Sequence, residues 1–104
     1  MVRTPEQLWE PIARDQLGKR GVSTGTGFGT SEGLRVSGNI FAMLVRGELV
    51  VKLPRDRVDE LVAAGAARRF DAGKGRPMKE WASVPASASR RWRGLVEEAR
   101  AFVG

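Results

Sequence analysis

The sequence predicts an α+β fold: a single-layer antiparallel β-sheet of about five strands packed by three helices, in one domain over residues 1–104. Two apolar runs, 39–45 and 48–53, flank the two-residue link Arg46-Gly47, a pattern typical of a β-hairpin. Apolar residues at helical spacing occur near both ends of the chain and once in between. Because the strands are grouped and the connections short, the predicted order is α-β(3)-α-β(2)-α, with the helices on one face of the sheet.

The first helix is predicted to begin after Thr4. Thr4 suits the N-cap, Pro5 suits the first helical position, and Gln7 completes a capping box. Pro11 cannot donate a hydrogen bond to the carbonyl four residues earlier, so we expect the helix to kink or restart there. Gly18 is expected to end it.

Residues 22–38, which follow, are rich in Gly, Ser and Thr. Gly25, Gly27 and Gly29 recur with a period of two, so on a strand they would share one face and allow a second backbone to approach closely. Glu32-Gly33 is expected to be a turn. The next run, 39–45, is apolar on both faces, which favours a central strand.

The second half of the chain predicts a helix, two short strands and a last helix. Pro54 and Asp56 favour a helix start, and Gly65 suits the C-terminal cap of that helix. Strands at 67–71 and 78–84 flank a loop. The last helix is expected to be capped by Ser87 or Ser89. Its apolar side chains recur at helical spacing: Trp92, Leu95, Val96, Ala99, Phe102 and Val103.

The composition excludes several kinds of active site. The chain has no Cys, His or Tyr, so it lacks a thiolate nucleophile, the most common general base and the most common metal ligands. Its acidic residues form no D-x-D or E-x-x-H pattern. We therefore expect no metal, no cofactor and no enzymatic activity. No apolar run approaches the ~20 residues that span a bilayer, so a cytoplasmic protein without membrane contact is expected.

The net charge of +6 is concentrated in residues 68–93. A local excess of cations attracts phosphates or carboxylates, although such charges also serve simply to solvate a surface. The glycines at 73 and 75 and the cations Lys74 and Arg76 could form an anion-binding nest or a flexible hairpin loop. The candidate residues for anion or nucleic-acid binding are Arg68, Arg69, Lys74, Arg76, Lys79 and Trp81.

The three tryptophans differ in their expected positions. Trp9 and Trp92 lie on the apolar faces of their helices, so both are expected in the core. Trp81 alternates with Lys79 and Ser83 along its predicted strand. This pattern leaves open whether Trp81 is exposed, where it could stack on bases, or lies under the last helix.

Several short segments occur in an order and spacing shared with a known family. They are Phe28-Gly29, residues 38–45, residues 47–53, Phe70 and Gly75-Arg76-Pro77-Met78-Lys79-Glu80-Trp81. On these residues, the span 26–85 resembles the N-terminal domain of TfoX/Sxy-type proteins. Gly27 and Thr30 depart from the family pattern, which usually has Met and often Gly at these two positions.

The resemblance implies a small α+β fold similar to secretion-chaperone-like and YjbR-like domains, a link to competence regulation, and no catalytic residues. We therefore expect a non-enzymatic regulatory or protein-interaction module with a protein partner or a homodimer. One alternative is a nucleic-acid-binding accessory protein that uses residues 68–93, whose affinity would fall steeply with salt. Another is a small-molecule role in a pocket between sheet and helices.

Overall fold

The computed structural model describes residues 3–26, 32–71, 75 and 77–104, and within them three α-helices pack on an antiparallel sheet. The elements in chain order are α1 (Pro5–Leu17), β1 (Val22–Thr26), β2 (Glu32–Val36), β3 (Asn39–Val45), β4 (Glu48–Lys52), α2 (Arg55–Ala63), β5 (Arg68–Arg69), β6 (Trp81–Val84), a 3₁₀ segment (Ala86–Arg91) and α3 (Trp92–Val103). The strands lie side by side in the order β1-β2-β3-β4-β6-β5, and each neighbouring pair is antiparallel. The predicted α+β class is confirmed.

The predicted number of strands is wrong, because the described residues form six strands in the order α-β(4)-α-β(2)-α. The Gly-rich stretch contains two paired strands, β1 and β2, instead of a turn at Glu32-Gly33. Gly33 lies inside β2 opposite Gly25. A Cβ at Gly33 would lie 3.2 Å from the Gly25 carbonyl oxygen and 3.3 Å from that of Ala42, so the glycine serves close strand packing there.

Two tight turns set the register in the middle of the sheet. Ser37 (φ 52°) and Gly38 (φ 85°) join β2 to β3, and Arg46 (φ 49°) and Gly47 (φ 78°) join β3 to β4. Positive φ at both central residues is the signature of the type I′ turn, whose twist matches that of a hairpin. The predicted turn at Arg46-Gly47 is confirmed, and so is the central position of β3.

A β-bulge in β3 directs apolar side chains to both faces of the sheet. Leu34 pairs with Ala42, whereas the next residue, Arg35, pairs with Ile40, so Phe41 is the extra residue. Phe41 and Ala42 therefore both pack into the helix-side core. Ile40 packs on the opposite face of the sheet.

The main core lies between the sheet and the helices. Trp9 of α1, Leu61 of α2 and Trp92 of α3 are buried there with Leu49 and Val51 of β4. The expected core positions of Trp9 and Trp92 are confirmed. Within the described part of the chain, no helix combines the length and the apolar character needed to cross a membrane.

The start of α1 matches its prediction, and the helix is continuous from Pro5 to Leu17. The Thr4 hydroxyl accepts from the Gln7 N–H, and the Gln7 side chain accepts from the Thr4 N–H, which completes the capping box. The helix continues through Pro11 without a restart. Trp9 and Ile12, close to the proline in the chain, are both buried, and such packing of an apolar face supplies most of the stability of a helix in a folded protein.

The other helix ends follow local backbone chemistry. The N–H groups of Gly65 (φ 73°) and Ala66 donate to the carbonyls of Val62 and Leu61, a Schellman motif that confirms the predicted glycine stop of α2. The predicted serine cap of α3 is wrong. Ser87 and Ser89 lie within the 3₁₀ segment, and α3 begins without a side-chain cap.

Candidate binding surface

The face of the sheet away from the helices, called here the outer face, carries a second apolar cluster. This outer cluster consists of Met43, Val50, Phe70 and Trp81, each no more than 8% exposed. The Phe70 N–H donates to the Trp81 carbonyl at 2.8 Å, and the Phe70 carbonyl accepts from the Met78 N–H at 2.8 Å. These bonds hold Phe70 and Met78 alongside β6, where both pack on the cluster.

A cleft of about 440 Å³ lies at one end of the outer face. This arginine cleft is lined by Arg46, Glu48, Arg68, Arg69, Asp71 and Ser83, with Val45 and Phe70. Its position follows from the register, since Ser83 of β6 lies between Val50 of β4 and Arg68 of β5. Two of its three arginines, Arg68 and Arg69, form ion pairs with acidic side chains.

Glu48 is the centre of this charge matching. The Ser83 hydroxyl donates to Glu48 Oε1 at 2.6 Å, and the Arg68 guanidinium donates to the same oxygen at 2.8 Å. Burial opposes ionisation of Glu48, but the hydrogen bonds from Ser83 and Arg68 and the charges of Arg68 and Arg46 outweigh it, so the pKa of Glu48 lies below its ordinary value. Near neutral pH Glu48 is therefore ionised, and its Oε1 already accepts two hydrogen bonds.

A second cleft of about 530 Å³ lies at the other end of the outer face. This lysine cleft is lined by Lys52, Arg55, Met78, Lys79, Glu80 and Trp81. Lys52 pairs with Trp81 across β4 and β6, and its ammonium nitrogen lies 5.7 Å from the centre of the Trp81 ring, within cation–π range. The cleft is wide and shallow, with an apolar floor and a charged rim.

The described lining of the lysine cleft holds three cations and one acid, Glu80, and no ion pair joins them. Among the residues that the structure describes, Lys52, Arg55 and Lys79 form no ion pair. In the arginine cleft, by contrast, Arg68 pairs with Glu48 and Arg69 pairs with Asp59 of α2. Arg46, the third arginine of that cleft, donates to the Asp71 carbonyl and forms no ion pair among the described residues. An anionic group would therefore meet three unpaired cations in the lysine cleft and one in the arginine cleft.

The sequence-predicted site residues do not form one group. Arg68 lies on the outer face, and Arg69, next in the strand, bonds to Asp59 of α2 on the helix side. Lys79 and Trp81 line the lysine cleft. Of the proposed anion nest, Gly73, Lys74 and Arg76 lie outside the described residues, as do Gly27 and Gly29.

Trp81 occupies neither of the two positions left open by the sequence. It is 8% exposed, on the face of the sheet opposite α3, and packs with Met43, Val50 and Phe70. Most of the ring is therefore unavailable for stacking on a base.

The basic segment 68–93 is not one continuous surface. Arg93 of α3 pairs with Asp15 of α1, on the helix side of the molecule, whereas Arg68 lies on the outer face. In both pairs the acid comes from outside the segment. A count of charges along the chain therefore overstates the positive surface that this segment presents.

Two residues of the lysine cleft, Lys52 and Arg55, are absent from the sequence-predicted set. They lie outside residues 68–93, and the pairing of β4 with β6 brings Lys52 beside Trp81. One signal was present in the sequence: Lys52 alternates with the core residues Val51 and Leu53, which places it on the outer face.

The described acidic residues include no group of three that could hold a metal ion.

No model of a known protein family matches the chain, and no curated protein matches it. The resemblance to TfoX/Sxy N-terminal domains thus stays a prediction.

Proposed function

We propose that this chain is a small, non-enzymatic regulatory or protein-interaction module of the TfoX N-terminal type, and that it binds an acidic segment of a partner protein in the lysine cleft. The observation that carries the proposal is the group of unpaired cations, Lys52, Arg55 and Lys79, around the partly apolar floor formed by Met78 and Trp81. Carboxylates supply the opposite charge, and aliphatic parts of a peptide fit the floor.

The ionisation state of Glu48, whose carboxylate lies on the outer face, supports a role without catalysis. A general acid or base works best when its pKa lies near the working pH. The pKa of Glu48 is lowered away from neutrality, and Ser83 and Arg68 both bond to the same oxygen. This arrangement suits a structural carboxylate, and the sequence offers neither His nor Cys as a substitute.

A nucleic-acid-binding accessory protein is the alternative function, and the site supports it less well. Phosphate backbones are bound by rows of cations whose charge is available. In residues 68–93, Arg68, Arg69 and Arg93 are already paired with acids. Trp81 is buried, so it lacks the open ring face that binds single strands.

The test is a titration of the whole chain with a Glu-rich peptide, with duplex DNA and with single-stranded DNA, each followed by tryptophan fluorescence at two salt concentrations. We expect peptide binding. Charge reversal by Lys79→Glu should weaken it about fivefold, the ratio that ~1 kcal/mol represents for an exposed charge contact. The matched control is Arg90→Glu, which changes the net charge equally at an exposed position outside the cleft and should leave affinity unchanged.

Three results would contradict the proposal. Equal weakening by the two variants would mean that net charge, and not the cleft, drives binding. Binding of DNA without peptide would favour the alternative function. Binding of none of the three ligands would remove the lysine cleft as an interaction site.

A further inference from the structure

The two edges of the sheet differ in how they are protected. At one edge, β5 is only two residues long, and both of its residues are arginines. Short, charged edges of this kind resist pairing with another chain. At the other edge, β1 has five residues, Val-Ser-Thr-Gly-Thr, with no charge and no proline. Ser23 and Thr24 are exposed.

The hydrogen bonds around β1 show which of its backbone groups point away from the sheet. The Ser37 N–H donates to the Gly21 carbonyl at 3.2 Å, so the pair Gly21–Ser37 is bonded toward β2. By alternation, Ser23 and Gly25 are bonded the same way. The N–H and C=O of Thr24 therefore point outward, at the open edge.

A second observation supports this direction. The Val22 N–H bonds to the Lys19 carbonyl at 3.3 Å, so it does not bond to β2. No described residue bonds to the outward N–H or C=O of Thr24. The edge at Thr24 thus presents a donor and an acceptor without a described partner.

We propose that β1 pairs antiparallel with β1 of a second copy of this chain, about a two-fold axis at Thr24. In this register the Thr24 residues of the two copies exchange N–H···O=C bonds, and the Thr26 N–H of each copy faces the Val22 carbonyl of the other. The two sheets then form one continuous sheet. The inference is independent of the proposed function, because β1 contributes nothing to the lysine cleft.

The charges near β1 are compatible with this pairing. Lys19 and Arg20 precede β1 in the chain, and β1 itself has no charged residue. Under the two-fold axis Lys19 and Arg20 of the two copies lie at opposite ends of the ladder. The Arg35 side chains, each over Gly25 of its own copy, lie diagonally across the axis. No like charges are placed directly opposite each other, an arrangement that would oppose association.

Single-cysteine crosslinking tests the register directly, because the natural chain has no cysteine. Facing residues of a hydrogen-bonded antiparallel pair have Cα atoms about 5.5 Å apart, within the range that a disulfide spans. Thr24→Cys should therefore give a disulfide-linked dimer under mild oxidation. Ser87→Cys, at an exposed position in the 3₁₀ segment, is the matched control and should stay monomeric.

Sedimentation of the natural chain and of two variants completes the test. The natural chain should show twice its mass of 11.4 kDa at high concentration. Thr24→Lys places two like charges on the axis, and Thr24→Pro removes the outward N–H without removing a bond to β2, so both should be folded monomers. A natural chain that stays monomeric, a dimer that survives both substitutions, or equal crosslinking of both cysteine variants would overturn the proposal.

Discussion

At the scale of single residues, the ionised state of Glu48 is set by its neighbours rather than by exposure to water. Its side chain is only 25% exposed, which alone would favour the protonated form. Ser83 and Arg68 donate to the carboxylate, and Arg46 adds a favourable charge, so the pKa is lowered. Because the folded state then holds the proton less tightly than the unfolded chain, ionisation of Glu48 stabilises the fold.

Glu48→Gln should lower the free energy of unfolding by about 1 kcal/mol at neutral pH. The estimate stays small because Arg68 is mostly exposed to solvent. With a folded pKa below the unfolded value of about 4.3, the stabilisation is present above that value and is lost as the pH falls through the folded pKa. Urea unfolding at neutral and acidic pH should therefore show a difference that shrinks on acidification.

The control for this prediction is Glu80→Gln. Glu80 is exposed, and within the described ranges its carboxylate forms no ion pair. Its substitution should leave stability unchanged at both pH values. If Glu48→Gln lowered the free energy of unfolding equally at both pH values, the carboxylate would contribute through shape or packing and not through its charge.

At the scale of elements, local chemistry predicted the parts whose signals are local. The capping box at Thr4, the turn at Arg46-Gly47 and the glycine stop at Gly65 each depend on a few consecutive residues. The sequence did not predict the split of residues 22–38 into β1 and β2. Gly33 is a turn signal in isolation, and its role as a close-packed strand residue depends on β3, which is distant in sequence.

Two glycine-to-alanine substitutions separate backbone strain from helix propensity. An added Cβ at Gly65 or at Gly94 meets no atom within 4 Å, so packing does not enter the comparison. Gly65 has a φ of 73°, and alanine there should destabilise the fold by about 1 kcal/mol. Gly94 is the third residue of α3, and alanine there should stabilise the fold by about 0.5 kcal/mol.

Thermal or urea unfolding of the two variants measures both effects against the same natural chain. Shifts in opposite directions are expected. Destabilisation by both substitutions would mean that Gly94 has a contact role that an open helix surface does not explain.

At the scale of the whole molecule, the sheet register determines which charges meet. The sequence predicted Lys79 and Trp81 as site residues, and both line the lysine cleft. It did not predict Lys52 and Arg55, because both lie outside residues 68–93. Lys52 reaches the cleft through the pairing of β4 with β6, and Arg55 begins α2 three residues after it. It also could not show that Arg68 is matched by Glu48, since the two are 20 residues apart.

A two-dimensional ¹H–¹⁵N NMR titration of the chain with a Glu-rich peptide tests directly whether an acidic partner binds in the lysine cleft. The three tryptophan indole N–H groups are separate reporters, because Trp9 and Trp92 lie in the helix-side core and Trp81 lines the cleft. Saturable shifts of the Trp81 indole and of the Lys52 and Lys79 amides are expected, with the other two indoles unmoved. Shifts centred on Trp9 or Trp92, or no shift at Trp81 when the peptide is bound, would contradict binding in the lysine cleft.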